Sequence, residues 1–308
     1  MLSSATAARL VEARTGKRLK DGRVYVKAEH LQKTGSFKPR AALSKLTSLS
    51  AKERRAGVIT LSAGNAAQAY AWAGSVEGVA VTVTMPARAV RSKVEASRDY
   101  GAEVVLHGEH VGETLARLQE LIDERGLTLV HPFDDPEVIA GNGSAGLEIL
   151  EDLPDVDVVV VGVGGGGFIS GVATALKESR PDVRVYGVEP EGSDAVSRAI
   201  KAGQVVRIDP VSVADGLGAP FAGEWTLPIC RRYVNEIVLL DDATILAGLR
   251  LAAERMKQVL EPAGAAALAA LLSGRIPIRD GDRVCVVASG GNVERSRLGE
   301  FLEGPITP

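Results

Sequence analysis

The chain has 308 residues, 45% hydrophobic and 24% charged, with 36 basic against 39 acidic side chains and a formal net charge of -3. This supports one or two globular domains with ample core. The basic residues are scattered, so no electrostatic footprint for nucleic acid or an anionic membrane surface is present.

From the N-terminus, MLSSATAARLVEARTGKR lacks an apolar signal core after its start, and a cytoplasmic protein is expected. Short β-branched runs then alternate with alanine-rich amphipathic segments: VYVKAE, GVITLSAG, AVTVTMP, AEVVLHG, DVVVVGVGGGG, VRVYGVEP, EIVLLDD and RVCVVASGGN. This alternation predicts an α/β fold of parallel strands and crossover helices. Val158–Val163 and Val284–Ala288 are continuously apolar, as strands covered on both faces are. Pro262–Leu272 is too short for the ~18 residues of a membrane span and is rich in alanine, which predicts a buried helix. Cys230 and Cys285 sit in apolar company and are read as buried thiols without a disulfide. His30, His107, His110 and His131 form no metal-ligand pattern.

Four segments carry chemistry. In KTGSFKPRAA, Lys38 lies between Phe37 and Pro39, which exclude water, and beside Arg40, which adds positive charge. Both effects favour a neutral, nucleophilic amine over an ammonium; a lysine capping a turn is the alternative. After the strand ending at Leu61, Ser62-Ala63-Gly64-Asn65-Ala66 opens a helix-like segment whose N–H groups suit a carboxylate, or Ser62 or Asn65 simply caps the helix. After Val163, Gly164-Gly165-Gly166-Gly167 precedes Phe168 and offers a dense array of N–H donors suited to phosphate. The same run partly matches a dinucleotide turn, with Glu189 as its downstream acid. After Ala288, Ser289-Gly290-Gly291-Asn292 delivers a hydroxyl from a strand end, or is a plain turn.

Together, a shielded lysine, an oxyanion turn, a phosphate loop and a strand-end serine make the set of parts a pyridoxal 5'-phosphate enzyme needs. KTGSFKPRAA, SAGNAAQ, GVGGGGFISG, EPAGA and SGGN, in that order, resemble the serine/threonine dehydratase (threonine ammonia-lyase) family. The resemblance runs from about Val24 to the SGGN loop, and it implies a two-domain tryptophan-synthase-β-like α/β fold (fold type II). Parallel-rich twisted sheets would carry helices on both faces. The large cofactor-binding domain is expected over 1–35 and 131–308 and the small domain over 36–130.

By the same resemblance, Lys38 forms the Schiff base with pyridoxal phosphate and Phe37 packs on its ring. Asn65 bonds the ring 3'-oxygen, Gly164–Gly167 and the Phe168 amide hold the phosphate, and Ser289 faces the pyridine nitrogen. Ser62, Ala63 and Gly64 receive the substrate carboxylate, with Ala66 beside them. The implied reaction is dehydration and deamination of a β-hydroxy amino acid such as L-threonine or L-serine to a 2-keto acid and ammonia. A homodimer is also implied. Racemases of the family place an acid–base serine where Ala63 stands, and alanine carries no proton.

Several positions depart from the family pattern. Ala66 replaces the usual histidine and GNGS (Gly141–Ser144) replaces glycine-glutamine-glycine-threonine, which points to a bulkier or differently substituted substrate than threonine. Glu189 and Asp194 in VEPEGSDA are candidate Mg²⁺ or Ca²⁺ ligands, one residue short of the family spacing. Glu261 faces the active site by resemblance, or is an acid at a helix N-terminus. The chain ends soon after SGGN and starts without the threonine-proline-leucine segment of relatives. No appended regulatory domain is therefore expected, and the start is expected to be short. Rival functions are a racemase or β-replacement enzyme of the same fold, a non-catalytic pyridoxal phosphate binder, and a nicotinamide oxidoreductase using the Gly164 loop. Ala63 argues against a racemase, and HPFDDPEVIAG and EPAGA argue against a β-replacement enzyme.

Overall fold

The computed structural model describes residues 1–89 and 91–306. Its strands are β1 (Leu2–Ser4), β2 (Val24–Lys27), β3 (Val58–Leu61), β4 (Val81–Met85), β5 (Glu103–Leu106), β6 (Thr128–Leu129), β7 (Val158–Gly162), β8 (Arg184–Pro190), β9 (Glu236–Leu240) and β10 (Val284–Val287). The helices are α1 (Ala5–Thr15), α2 (Lys38–Thr47), α3 (Ala51–Ala56), α4 (Asn65–Glu77), α5 (Arg91–Asp99), α6 (Val111–Arg125), α7 (Pro136–Asp152), α8 (Gly167–Ser179), α9 (Ala195–Ala202), α10 (Thr226–Tyr233), α11 (Asp242–Leu251), α12 (Pro262–Leu272) and α13 (Arg295–Phe301). They form two compact units, one of Met1–Ser36 with the chain from Asn142 onward, the other of Phe37–Gly141.

The first unit holds a six-stranded sheet in the order β1-β2-β10-β7-β8-β9. Only β1 runs antiparallel, pairing Leu2 with Val26. β10 lies parallel between β2 and β7, with Val284 opposite both Val24 and Val158. Every residue of β7 and β10 is buried, so the apolar runs do mark strands covered on both faces. All eleven residues of α12 are buried, and its alanines let the helix approach the sheet closely. Its Leu268 and Leu271 join Val158, Val160, Val284 and Val286 in the main core. Because β7 and β10 are parallel neighbours in register, the loops after them leave the same edge of the sheet.

The second unit holds a parallel four-stranded sheet, β5-β4-β3-β6, with Val58 opposite Val81. Its core gathers Leu46 from α2, Tyr70 from α4, and Val58, Val83 and Met85 from the strands. The eight β-branched runs all contain strands. The sequence reading missed β1 and β6, of three and two residues, because such short edge strands rest on backbone pairing and carry no hydrophobic period. Among the described residues no helix is long and apolar enough to cross a membrane.

Candidate active site

The candidate residues fall into two groups, one in each unit. In the Phe37–Gly141 unit, Phe37 is the N-cap of α2, Lys38 its first residue, and Pro39 sits in the first turn, where a missing N–H costs nothing. The Lys38 Nζ lies 4.8 Å from the Phe37 ring centroid and donates to the Pro132 carbonyl at 3.4 Å. That carbonyl belongs to a turn held by His131, whose Nδ1 accepts from the N–H groups of Phe133 (3.3 Å) and Asp134 (2.8 Å). The Tyr70 hydroxyl donates to the His131 carbonyl at 3.1 Å. Burial pushes the His131 pKa down, and the Lys38 charge adds to the effect against the opposing pull of Asp134 and Asp135. The imidazole is therefore the neutral form that can accept both N–H groups.

β3 delivers Ser62, Ala63 and Gly64 to the start of α4. The Ser62 hydroxyl accepts from the Gly64 N–H at 3.2 Å, folding the turn so that Asn65 becomes the first helical residue. The thirteen-residue α4 directs its first-turn N–H groups and positive dipole end toward this turn, a setting for a carboxylate. Ala66 is buried one residue into the helix.

In the larger unit, Gly164–Gly167 connect β7 to α8, and Phe168 is buried in the first turn of that helix. Gly166 has φ +90°, and a Cβ built on it would meet the Thr226 Oγ1 at 2.8 Å, so conformation and space both require glycine. Among the described residues no protein acceptor takes the N–H groups of Gly164, Gly165, Gly166 or Gly167. Gly165, Gly166 and Gly167 are buried and Gly164 half-buried, and donors left unmatched at the N-terminus of a thirteen-residue helix suit an anion such as a phosphate.

Ser289 follows β10 on the neighbouring strand. It is buried, and among the described residues its hydroxyl reaches only the Ala263 carbonyl, at a long 3.4 Å, so its capacity to donate and accept is little used. The loop is pinned on both sides. Gly291 N–H donates to the Gly35 carbonyl at 2.9 Å and the Asn292 amide to the Thr34 carbonyl at 2.6 Å, while Glu261 N–H donates to the Gly290 carbonyl at 3.1 Å. Glu261 itself is buried at the N-cap of α12.

Glu189 and Asp194 have other work. The buried Glu189 carboxylate accepts from the Val196 N–H (2.8 Å), the Ser197 N–H (2.9 Å) and the Ser197 hydroxyl (2.6 Å), capping α9. Asp194 accepts from Arg198 at 2.7 Å. Among the described residues no group of three or more His, Cys, Asp or Glu side chains could hold a metal ion. Three residues bear on the site in ways the sequence reading did not assign, Asn142 having been singled out there only as part of the GNGS departure. The His131 turn holds the carbonyl that meets Lys38, the Asn142 amide donates to the Gly167 carbonyl at 3.2 Å, and the Thr226 hydroxyl donates to the Gly165 carbonyl at 2.7 Å. Asn142 and Thr226 act across 25 and 61 residues, a separation at which local sequence carries no signal.

A family model described as pyridoxal-phosphate dependent enzyme matches residues 4–290. The L-threonine ammonia-lyase of Geobacter sulfurreducens is 44% identical over 281 residues, spanning 91% of this chain and 70% of that protein. The L-threo-3-hydroxyaspartate ammonia-lyase of a Pseudomonas species is 39% identical over 303 residues, spanning 96% of this chain and 91% of that protein. Among solved structures, maize serine racemase matches with a TM-score of 0.89 at 32% identity, covering 97% of this chain and 89% of that one. The two-unit architecture is thus that of fold type II, and with its glycine cradle and helix-start lysine the chain belongs to the family of pyridoxal-phosphate dependent enzymes.

Proposed function

We propose that this protein is an ammonia-lyase that dehydrates a β-hydroxy amino acid, of the class of L-threonine, L-serine or threo-3-hydroxyaspartate, to an enamine whose hydrolysis takes the water back up and yields a 2-keto acid and ammonia. Similarity to two ammonia-lyases over more than nine-tenths of the chain supports the reaction class. The observation that carries it in the structure is the buried Ser289 hydroxyl at the end of β10. A hydroxyl facing a pyridine nitrogen does not enforce its protonation as a carboxylate does, which favours prompt loss of a β-leaving group.

Bound pyridoxal phosphate supplies the electron sink for the bond broken at the substrate Cα. By the family resemblance, Gly164–Gly167 and the Phe168 amide would hold its phosphate, Phe37 and Asn65 would be the residues for its ring and 3'-oxygen, and Lys38 would carry it until substrate arrives. The Ser62–Gly64 turn, with Ala66 beside it, orients the substrate carboxylate at the N-terminus of α4. The released Lys38 amine takes the Cα proton. The β-hydroxyl would then depart as water by taking up a proton, which the protonated Lys38 can return, and the free enamine hydrolyses through its imine to keto acid and ammonia. Ala63 offers no proton for the opposite face, which disfavours racemisation. With Ala66 in place of an imidazole, the pocket is larger and less polar, and the preferred side chain is bulkier than that of threonine or differently substituted. The enzyme works as a cytoplasmic homodimer in this reading.

The test is keto-acid and ammonia release from L-serine, L-threonine, threo-3-hydroxyaspartate and phenylserine. Turnover of at least one is expected, falling by at least about a thousandfold in Lys38→Ala. Absence of turnover on the whole panel by a protein with a normal cofactor absorbance band would refute the lyase. Serine racemisation is expected to run well below elimination in the same samples; the reverse ratio would favour a racemase.

A further inference from the structure

Thr226 is fully buried at the start of α10, and no motif points to it. Its hydroxyl has one hydrogen and two acceptors within reach, the Gly165 carbonyl at 2.7 Å and the Gly223 carbonyl at 3.2 Å, and the shorter contact takes the proton. The Gly223 N–H adds a second, longer bond to the same Gly165 oxygen at 3.3 Å. The next carbonyl, of Gly166, accepts from the Ser170 N–H at 2.9 Å, and that of Gly167 from the Asn142 amide at 3.2 Å.

Three consecutive carbonyls are therefore held by protein donors. A peptide unit is planar and trans, so fixing a carbonyl oxygen turns the N–H of the following residue the opposite way. The Thr226 bond sets the direction of the Gly166 N–H, the Ser170 bond that of Gly167, and the Asn142 bond that of Phe168. Only the first of these directions depends on a hydroxyl from a different helix, α10. Ser170 is in turn linked to that helix, because its hydroxyl donates to the Thr226 carbonyl at 3.4 Å.

We propose that Thr226 is a positioning residue for the cofactor phosphate: its hydroxyl latches the Gly165 carbonyl onto α10 and so presents the Gly166 N–H to the dianion. The inference rests on the reading that the Gly164–Gly167 loop takes that phosphate. Without the latch, the Gly165 carbonyl keeps only the longer bond from the Gly223 N–H, and the Gly165–Gly166 peptide must be ordered further at the moment of binding.

The experiment titrates the cofactor-free full-length chain with pyridoxal phosphate and, separately, with pyridoxal, which lacks the phosphate. Wild type, Thr226→Val, Thr226→Ser and Gly166→Ala are compared by absorbance, and the bound phosphate is followed by ³¹P NMR. Valine keeps the shape and removes the donor. It is expected to weaken pyridoxal phosphate about tenfold and to move the ³¹P resonance, leaving pyridoxal affinity unchanged. Serine restores the hydroxyl and is expected to return both values to those of wild type. Valine binding pyridoxal phosphate as tightly as wild type would overturn the proposal, as would an equal loss for both ligands. Gly166→Ala separates the two levels. If it weakens pyridoxal phosphate while Thr226→Val does not, the phosphate loop stands and the latch falls; if it leaves pyridoxal phosphate unaffected, the loop reading itself falls, and the latch with it.

Discussion

Glu189 illustrates how burial and hydrogen bonding compete at a single carboxyl. Three donors at the start of α9 favour its charge, yet burial outweighs them and pushes its pKa up to about 7. The folded state therefore binds a proton more tightly than the unfolded chain, whose carboxyl titrates near 4.5. The stability contributed is fully present below the unfolded value and is lost as pH rises through about 7, on the order of 3 kcal/mol across the window. Glu189→Gln removes the titration. Thermal melts from pH 4.5 to 8 are expected to show the advantage of wild type over the variant shrinking as pH rises; an advantage that grows would mean the charged form is the one the fold prefers. His131 works in the other direction, since burial keeps its ring neutral and both turn N–H groups require that form.

At the scale of elements, the apposition of α12 and the loop after β10 depends on one missing side chain. A Cβ on Gly264 would meet the Gly290 carbonyl oxygen at 2.0 Å, and the obstacle is backbone that is already hydrogen-bonded to Glu261. Gly264→Ala must displace either the helix start or the loop that carries Ser289. A loss of about 1–3 kcal/mol by thermal or denaturant unfolding is expected. Gly299, in α13, has nothing within 4 Å of its Cβ position, and Gly299→Ala is expected to stabilise by about 0.5–1 kcal/mol through helix propensity. Opposite signs for the same substitution would tie the first cost to the close approach. The helix pattern itself was visible in the sequence as an uninterrupted alanine- and leucine-rich run, whereas the π-helical turn at Ala252–Met256 left no such mark.

Across the whole molecule, each unit builds its own sheet, parallel throughout except for β1, and the strands differ sharply in cover. β7 and β10 are central and wholly buried, while β5 is an edge strand with Glu103 and Leu106 exposed. Hydrogen exchange followed by mass spectrometry is expected to rank the amides of β7, β10 and α12 slowest and those of β5 and β6 fastest, since opening an edge breaks fewer buried contacts. Slow exchange in β5 equal to that in β7 would contradict the burial described. The order of the six-stranded sheet places β2, from the start of the chain, directly beside β10, from its end.

By itself the sequence determined the α/β class, eight of the strands, the buried α12 and the family. Each is recorded locally, in β-branched runs, in an apolar stretch of limited length, and in short motifs at strand ends. It also put the Gly164 and Ser289 loops after their strands, because glycine clusters mark where a buried run must stop and turn. The tertiary structure alone decided the strand order, the capping work of Glu189 and the bonds that Asn142 and Thr226 make to the glycine loop. The physical reason is range. A hydrogen bond between Thr226 and Gly165 needs two segments 61 residues apart to meet, and nothing in the composition around either residue announces the other.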